Sequence, residues 1–137
     1  MMTVDELLET PYWVIDILPK QVPAYGPGQY FAVERYYLEK EQFAAIKRRH
    51  VNVILKLNCY QRISLDEGAS YNPSPECVAT EMLAHHLCIM VGDDALIVSE
   101  PDDTAMAAYN VGEELLELLM PLAASEGLFV WRPPTGL

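Results

Sequence analysis

Polar and apolar residues alternate most clearly between Val51 and Leu65. Seven of the eight odd-numbered positions in this segment are apolar, and five of the seven even-numbered positions are polar or charged. A period of two is typical of a β-strand with one buried and one solvated face. We therefore predict that residues 51–65 form the central strand of a sheet. The segment is longer than a usual strand, so we expect a bend near Asn58 to Gln61.

Shorter patterns predict the elements that precede this strand. In chain order they are a helix over 4–9, a strand over 12–18, a loop rich in proline and glycine over 19–28, a strand over 29–38 and a helix over 39–49. The segment Gln29–Leu38 allows two interpretations. As a helix it would carry apolar residues all round its surface, which is unfavourable for a helix in contact with water, so we prefer a strand.

The second half of the chain contains clearer start and stop signals. The predicted elements are a polar loop over 66–75, a helix over 75–86, a hairpin with strands 87–91 and 95–99, a strand over 104–109, a helix with Asn110 as its N-cap and a strand over 128–131. We expect residues 104–131 to form a crossover between parallel strands. The whole chain, 1–137, is predicted to be one α+β domain. Its sheet should be mixed or largely antiparallel with about six or seven strands, and two to four helices should pack mainly on one face.

The net charge of −11 is distributed unevenly along the chain. Residues 1–62 contain seven acidic and eight basic residues, whereas residues 63–131 contain thirteen acidic residues and no lysine or arginine. Such a field repels nucleic acid and anionic membranes and attracts basic partners. Solubility alone is the simpler explanation of the charge. We expect a cytoplasmic protein, since we find neither a signal peptide nor a membrane span, and the three cysteines form no C-x-x-C pair.

Known catalytic and cofactor-binding motifs are absent, and we assign no catalytic residue and no cofactor. The sequence contains no G-x-S-x-G, H-E-x-x-H, P-loop or G-x-G-x-x-G motif. The weak metal candidates are Glu81 and His85, one helical turn apart, and we expect no metal there without further ligands. A thiol and an imidazole could meet in space, for example Cys59 and His86, but nothing in the sequence singles out such a pair.

Acidic residues at three places have alternative interpretations. Asp16 interrupts an apolar run, and we interpret it as an outward position on a strand rather than as a pocket carboxylate with a raised pKa. The pairs Asp93-Asp94 and Asp102-Asp103 could bind a cation. Because they flank one strand and lie at its opposite ends, we interpret each as a solvated turn.

The residues selected for interaction fall into three groups. They are Tyr60 with Lys56 and Arg62 as a contact patch, Lys47, Arg48 and Arg49 as a basic patch, and Asp102 and Asp103 as acidic contacts. Our functional hypothesis is a non-catalytic protein whose acidic half docks a basic partner protein, as inhibitors and antitoxin-like proteins do. A homodimer that pairs the basic patch with the acidic half is also compatible. The alternative is a small enzyme or ligand-binding domain whose pocket is assembled only in three dimensions.

Overall fold

The computed structural model of the protein describes residues 2–65 and 70–134. Five helices lie in these ranges: α1 (Val4–Leu7), α2 (Tyr30–Tyr37), α3 (Lys40–Asn58), α4 (Pro75–Ala84) and α5 (Glu113–Ser125). Seven strands accompany them: β1 (Tyr12–Asp16), β2 (Ile63–Leu65), β3 (Ser70–Tyr71), β4 (Leu87–Val91), β5 (Ala95–Ser99), β6 (Met106–Tyr109) and β7 (Phe129–Trp131). The predicted α+β class is confirmed.

All seven strands belong to one sheet, in the order β3-β2-β4-β5-β6-β1-β7. Every neighbouring pair is antiparallel. Strand β1 lies between β6 and β7 and is antiparallel to both. Strands β6 and β7 therefore run in the same direction, but they are not neighbours. The predicted crossover between parallel strands is therefore present, with α5 connecting β6 to β7 across β1.

The predicted central strand over residues 51–65 is wrong. Residues 51–58 form the second half of α3, and only Ile63–Leu65 are extended. The side chains that α3 buries include Ile46, Val53, Ile54 and Leu57, which follow the spacing of three and four residues that one side of a helix requires. None of the described helices combines the length and the apolar character that a membrane span needs.

The segment that we interpreted as a strand over 29–38 is a helix. Helix α2 buries none of its residues, and Phe31 is 76% exposed. The apolar residues do surround the helix, as the sequence indicates. A helix is possible here because α2 lies at the surface of the protein, where most of its apolar side chains are exposed.

The two faces of the sheet are covered unequally. Helices α3, α4 and α5 pack over one face and enclose the main core, which includes Ile15, Leu57 and Ile97. On the other face, α1 covers a smaller cluster around Leu96. Helix α1 starts with the predicted capping box, in which Thr3 and Glu6 bond each other's backbone N–H groups.

The hairpin of β4 and β5 has the predicted register. Val91 pairs with Ala95, and the pairing continues without interruption to Leu87 and Ser99. The turn includes Gly92, whose φ of 60° lies in the left-handed region that glycine adopts without strain. This register determines which side chains meet at the far end of the hairpin.

Candidate functional site

A buried polar network joins α3 to the end of β5. The ammonium nitrogen of Lys47 lies 3.2 Å from Nδ1 of His50, 3.2 Å from Oγ of Ser99 and 2.7 Å from the backbone oxygen of Glu100. Lys47 is 2% exposed, and His50 and Ser99 are fully buried. Because a lysine ammonium has three protons, each of these acceptors can receive one.

The protonation state of His50 follows from its two contacts. Nδ1 accepts a hydrogen bond from Lys47, so the ring proton resides on Nε2, which donates to the backbone oxygen of Thr104 at 3.2 Å. Burial, with a further contribution from the charge of Lys47, lowers the pKa of His50 to about 3. Burial also lowers the pKa of Lys47 to about 8, and the nearby Asp103, Glu100 and Asp102 carboxylates limit that decrease.

This network corrects one part of the predicted basic patch. Lys47 does not face solvent with Arg48 and Arg49, because the periodicity of the helix turns it toward Ser99. Arg48 and Arg49 are exposed, as expected. Lys47 therefore acts inside the protein, where it fixes the position of the acidic turn that follows β5.

Beside this network, a cavity of about 90 Å³ opens between β1, α2 and the turn before β6. Its wall contains three carboxylates, those of Asp16, Glu34 and Asp103, together with Tyr30 and Tyr37. The remaining wall residues are Ile17, Leu18, Val33, Thr104 and Ala105, so the wall contains no lysine or arginine. We call this cavity the acidic cleft.

The carboxylates of the acidic cleft are close enough to influence each other and their neighbours. Burial raises the pKa of Asp16, hydrogen bonds from the backbone of Ile17 and Leu18 oppose that rise, and the charge of Asp103 adds to it. The Tyr30 hydroxyl donates to Glu34 at 2.8 Å. That hydrogen bond, burial and the charges of Glu34, Asp16 and Asp103 raise the pKa of Tyr30 to about 12. The charge of Asp103 thus acts on both Asp16 and Tyr30.

The pocket interpretation of Asp16, which we did not favour from the sequence, describes its surroundings better. Asp16 projects from the less covered face of the sheet, as an alternating strand requires, but α2 and the turn before β6 enclose it. The Trp131 indole lies on the same face of the sheet as Asp16 and lowers the pKa of Asp16. The indole N–H nevertheless has no acceptor in normal hydrogen-bond geometry.

A larger and mainly apolar cavity adjoins the acidic cleft. It has a volume of about 420 Å³ and is lined by residues that include Val22, Pro23 and Phe31. Leu18, Tyr30 and Val33 line both cavities, so the two are adjacent. We call the larger cavity the aromatic groove.

The structure distributes the predicted contact patch over separate elements. Lys56 lies on α3 and forms a salt bridge with Glu126 at 2.5 Å. Arg62 contacts Asp93 at 2.5 Å and covers the ring of Tyr71. Tyr60, between them in sequence, is exposed. The two cations that should flank Tyr60 thus have partners within the protein, and the interaction role of Tyr60 remains a prediction.

Asp102 and Asp103 lie in a turn, and Glu81 and His85 lie one helical turn apart, as the sequence predicts. Asp102 and Asp103 are exposed in the turn after β5, and Asp103 contributes to the acidic cleft. His85 Nε2 contacts the Glu81 carboxylate one turn earlier. Within residues 2–65 and 70–134, no three potential ligands form a metal-binding group.

Several site residues were missed from the sequence, namely Tyr30, Glu34, Tyr37 and His50. Residues 30–37 were missed because we assigned them to a strand. His50 was missed because its partners, Lys47 and Thr104, belong to distant parts of the chain. A helical spacing of three between Lys47 and His50 was the available signal.

Comparisons with known proteins add no family assignment. The chain matches no protein-family model, no curated protein and no solved structure.

Proposed function

We propose that the protein is a non-catalytic binding protein whose acidic cleft receives a lysine or arginine side chain of a basic partner protein. The observation that supports this most is the convergence of Asp16, Glu34 and Asp103 on one cavity without a basic residue in its wall. A cationic side chain would form charge-assisted hydrogen bonds with these carboxylates, which are stronger than bonds between neutral groups. The partner would thereby offset the repulsion between Asp16 and Asp103.

The aromatic groove supports a partner that is a polypeptide rather than a simple cation. A residue next to the bound lysine or arginine could place an apolar side chain between Val22 and Phe31, which line the groove. Tyr25 and Tyr36 add exposed aromatic surface in this region of the chain. Aromatic residues are enriched in protein interfaces because they combine a large apolar area with few rotatable bonds.

The proposal differs from the sequence-based hypothesis in where the acids come from. Only Asp103 belongs to the acidic second half of the chain, whereas Asp16 and Glu34 belong to the balanced first half. The charge of the second half would then act at longer range, by accelerating encounter with a basic partner. The protein would then act as a small inhibitor or antitoxin-like protein does.

A small enzyme is the alternative. It would place a histidine or cysteine with a shifted pKa in the wall of a cavity. His50 has a strongly lowered pKa, but it is fully buried, both ring nitrogens have partners, and it lines neither the acidic cleft nor the aromatic groove. These contacts favour binding over catalysis at this site.

The test compares two triple variants with the same change in charge. Asp16→Asn/Glu34→Gln/Asp103→Asn removes the carboxylates of the cleft, and Glu76→Gln/Glu113→Gln/Glu117→Gln removes three exposed carboxylates elsewhere. The probe is a fluorescent peptide with one arginine between two leucines, and affinity is measured by anisotropy at low and high salt. A peptide with citrulline in place of arginine keeps the shape and removes the charge.

We expect the cleft variant to bind the arginine peptide at least about tenfold more weakly, because each lost charged hydrogen bond contributes about 1.5–3 kcal/mol. The control variant should change affinity by much less. Equal losses in the two variants would show that only net charge matters, and equal binding of the citrulline peptide would exclude the cleft as a cation site.

We also propose a cytoplasmic location. The three cysteines carry thiols without a disulfide among them, which is usual in a reducing compartment.

A second copy of the chain is a further proposed partner. Arg48 and Arg49 are exposed and could enter the cleft of another copy. Light scattering at low and high salt tests this: a salt-sensitive dimer that Arg48→Gln/Arg49→Gln abolishes would support it.

A further inference from the structure

A thiol, an imidazole and a carboxylate lie in line at the end of the hairpin opposite its turn. Leu87 pairs with Ser99, so the next position places His86 across from Glu100. Alternation along the strands puts Cys88 on the same face as His86. The Sγ atom of Cys88 lies 3.5 Å from Nε2 of His86, and Nδ1 of His86 lies 2.7 Å from Oε1 of Glu100.

This order of groups is the one that activates a thiol. With its ring proton on Nδ1, His86 donates to Glu100 and presents the lone pair of Nε2 to the Cys88 thiol. Transfer of the thiol proton to Nε2 produces a thiolate beside an imidazolium, and the Glu100 carboxylate stabilises the imidazolium. The same logic of nucleophile, base and orienting acid recurs in enzymes with unrelated folds.

Glu100 is held in place from the other side of the sheet. Its backbone oxygen accepts the hydrogen bond from Lys47, whose ammonium also contacts the preceding Ser99. The side chain of Glu100 is then directed toward His86. Lys47 is therefore a positioning residue for this arrangement, at a distance from the thiol.

The arrangement is accessible from solvent. The side chains of His86 and Glu100 are 57% and 41% exposed, and Cys88 is half-buried at the edge of the small cluster beneath α1. Tyr109 also faces Cys88, and its pKa is raised mainly by burial, with smaller contributions from Tyr12 and Cys88. The other cysteines lack this environment: Cys59 Sγ contacts the Leu55 oxygen of its own helix, and Cys77 packs against the main core.

We infer that Cys88 is a reactive thiol that His86 and Glu100 activate for stoichiometric exchange with small disulfides. The Cys88 thiolate attacks one sulfur of the small disulfide, a new S–S bond forms to that sulfur, and the original S–S bond breaks. The displaced half leaves as a thiolate and takes the proton from the His86 imidazolium. One disulfide is consumed and one mixed disulfide is formed, so no other oxidant is needed.

The experiment uses full-length variants with a single cysteine. Cys59→Ser/Cys77→Ser leaves Cys88, and Cys77→Ser/Cys88→Ser leaves Cys59 as an exposed comparison thiol. The probe is the neutral disulfide dithiodipyridine, whose released thione is followed by absorbance at neutral pH. In folded protein we expect Cys88 to react about tenfold faster than Cys59, because a larger fraction of it is thiolate. In denaturant the two rates should be equal.

Variants of the neighbours separate activation from accessibility. His86→Gln in the single-Cys88 protein should return the rate to that of Cys59 and abolish the ultraviolet absorption of the thiolate. Glu100→Gln should lower both quantities by a smaller factor and gives the same comparison if His86→Gln fails to fold. The inference is overturned if folded Cys88 reacts no faster than Cys59, or if a folded neighbour variant retains both the rate and the thiolate absorption.

Discussion

The ammonium nitrogen of Lys47 and the backbone oxygen of Glu100 are 2.7 Å apart, although one belongs to a helix and the other follows a strand. Substitution of Lys47 by methionine keeps the length of the side chain and removes all three donors. His50, Ser99 and Glu100 then lose a buried hydrogen-bond donor. We expect the free energy of unfolding to fall by about 2–4 kcal/mol, measured by urea denaturation.

Lys40→Met is the matched control for this substitution. It removes the same charge from the same helix, but Lys40 is exposed. Its effect should stay within about 0.5 kcal/mol. Similar losses in both variants would contradict the network.

The low pKa of His50 predicts a specific sensitivity to acid. In the unfolded chain His50 binds a proton below about pH 6.5, whereas in the folded protein it does so only near pH 3. Between these values the unfolded state holds more protons, so folding stability decreases as the pH falls. His50 alone contributes a slope of about 1.4 kcal/mol for each pH unit.

Comparison with His50→Gln isolates this contribution from those of the carboxylates. Glutamine can accept from Lys47 and donate to Thr104 but does not titrate. Chemical denaturation from pH 7 to pH 4 should therefore show a steeper loss in the natural protein than in His50→Gln. Parallel curves would mean that His50 titrates normally in the folded state.

Lys47 should produce a pH dependence of the same sign in alkaline solution. Its pKa is about 8 in the folded protein and 10.5 in the unfolded chain. Between these values the unfolded state again binds more protons, so stability rises with pH across this window. Lys47→Met should lack this rise in a denaturation series from pH 7.5 to pH 10, and an equal rise in both proteins would refute the lowered pKa.

Two adjacent alanine substitutions test whether residues 51–58 form a helix or a strand. Ile54 is fully buried, whereas Leu55 is only partly buried. Ile54→Ala should cost about 2–5 kcal/mol, because it leaves a cavity in the main core, and Leu55→Ala should cost distinctly less. In a strand with Leu55 and Leu57 inward, the order would be reversed. Urea denaturation of the two variants decides between these arrangements.

The contact between Lys56 and Glu126 predicts a modest coupling. The hydrogen bond from Lys56 lowers the pKa of Glu126. Asn52 also donates a hydrogen bond to Glu126. The stabilisation is therefore present at neutral pH and is lost as the pH falls below the usual pKa of a glutamate. A double-mutant cycle with Lys56→Met and Glu126→Gln should give about 0.5–1 kcal/mol, decreasing with salt. A coupling of zero at low salt would contradict the salt bridge.

Local signals in the sequence predicted the hairpin and the N-caps of α1 and α4 well, whereas α5 has Gly112 and not the predicted Asn110 as its N-cap. The turn around Gly92 and the Ser74 cap of α4 depend on neighbouring residues alone, so the sequence contains all the information needed for them. The hairpin register even implies that His86 opposes Glu100. We did not extend the register that far, and the contact with Cys88 was missed for that reason.

The pattern at residues 51–57 was misleading because it satisfies two periods at once. Val51, Val53, Leu55 and Leu57 alternate, but Val53, Ile54 and Leu57 also fit one side of a helix. Helix α3 packs against α4, α5 and the sheet, so its apolar surface is broad. A broad apolar surface leaves few polar positions, and those few happened to alternate.

Helix α2 shows a different reason why sequence periodicity failed to predict an element. The preference for a strand assumed that apolar side chains must be buried within one chain. Phe31, Val33 and Tyr36 are instead exposed on the helix. Sequence periodicity cannot distinguish apolar residues in a core from apolar residues at the surface, and the acidic cleft depends on this helix.

The position of β1 in the sheet has a consequence for biosynthesis. Tyr12–Asp16 pair with strands that follow residue 105, so nearly all of the intervening polypeptide must emerge from the ribosome before these pairs can form. Until then the apolar residues Trp13, Val14 and Ile15 have no neighbouring strand. Pairing over such sequence separations is slow, so we expect nascent chains to expose this segment and to be a substrate for chaperones during translation.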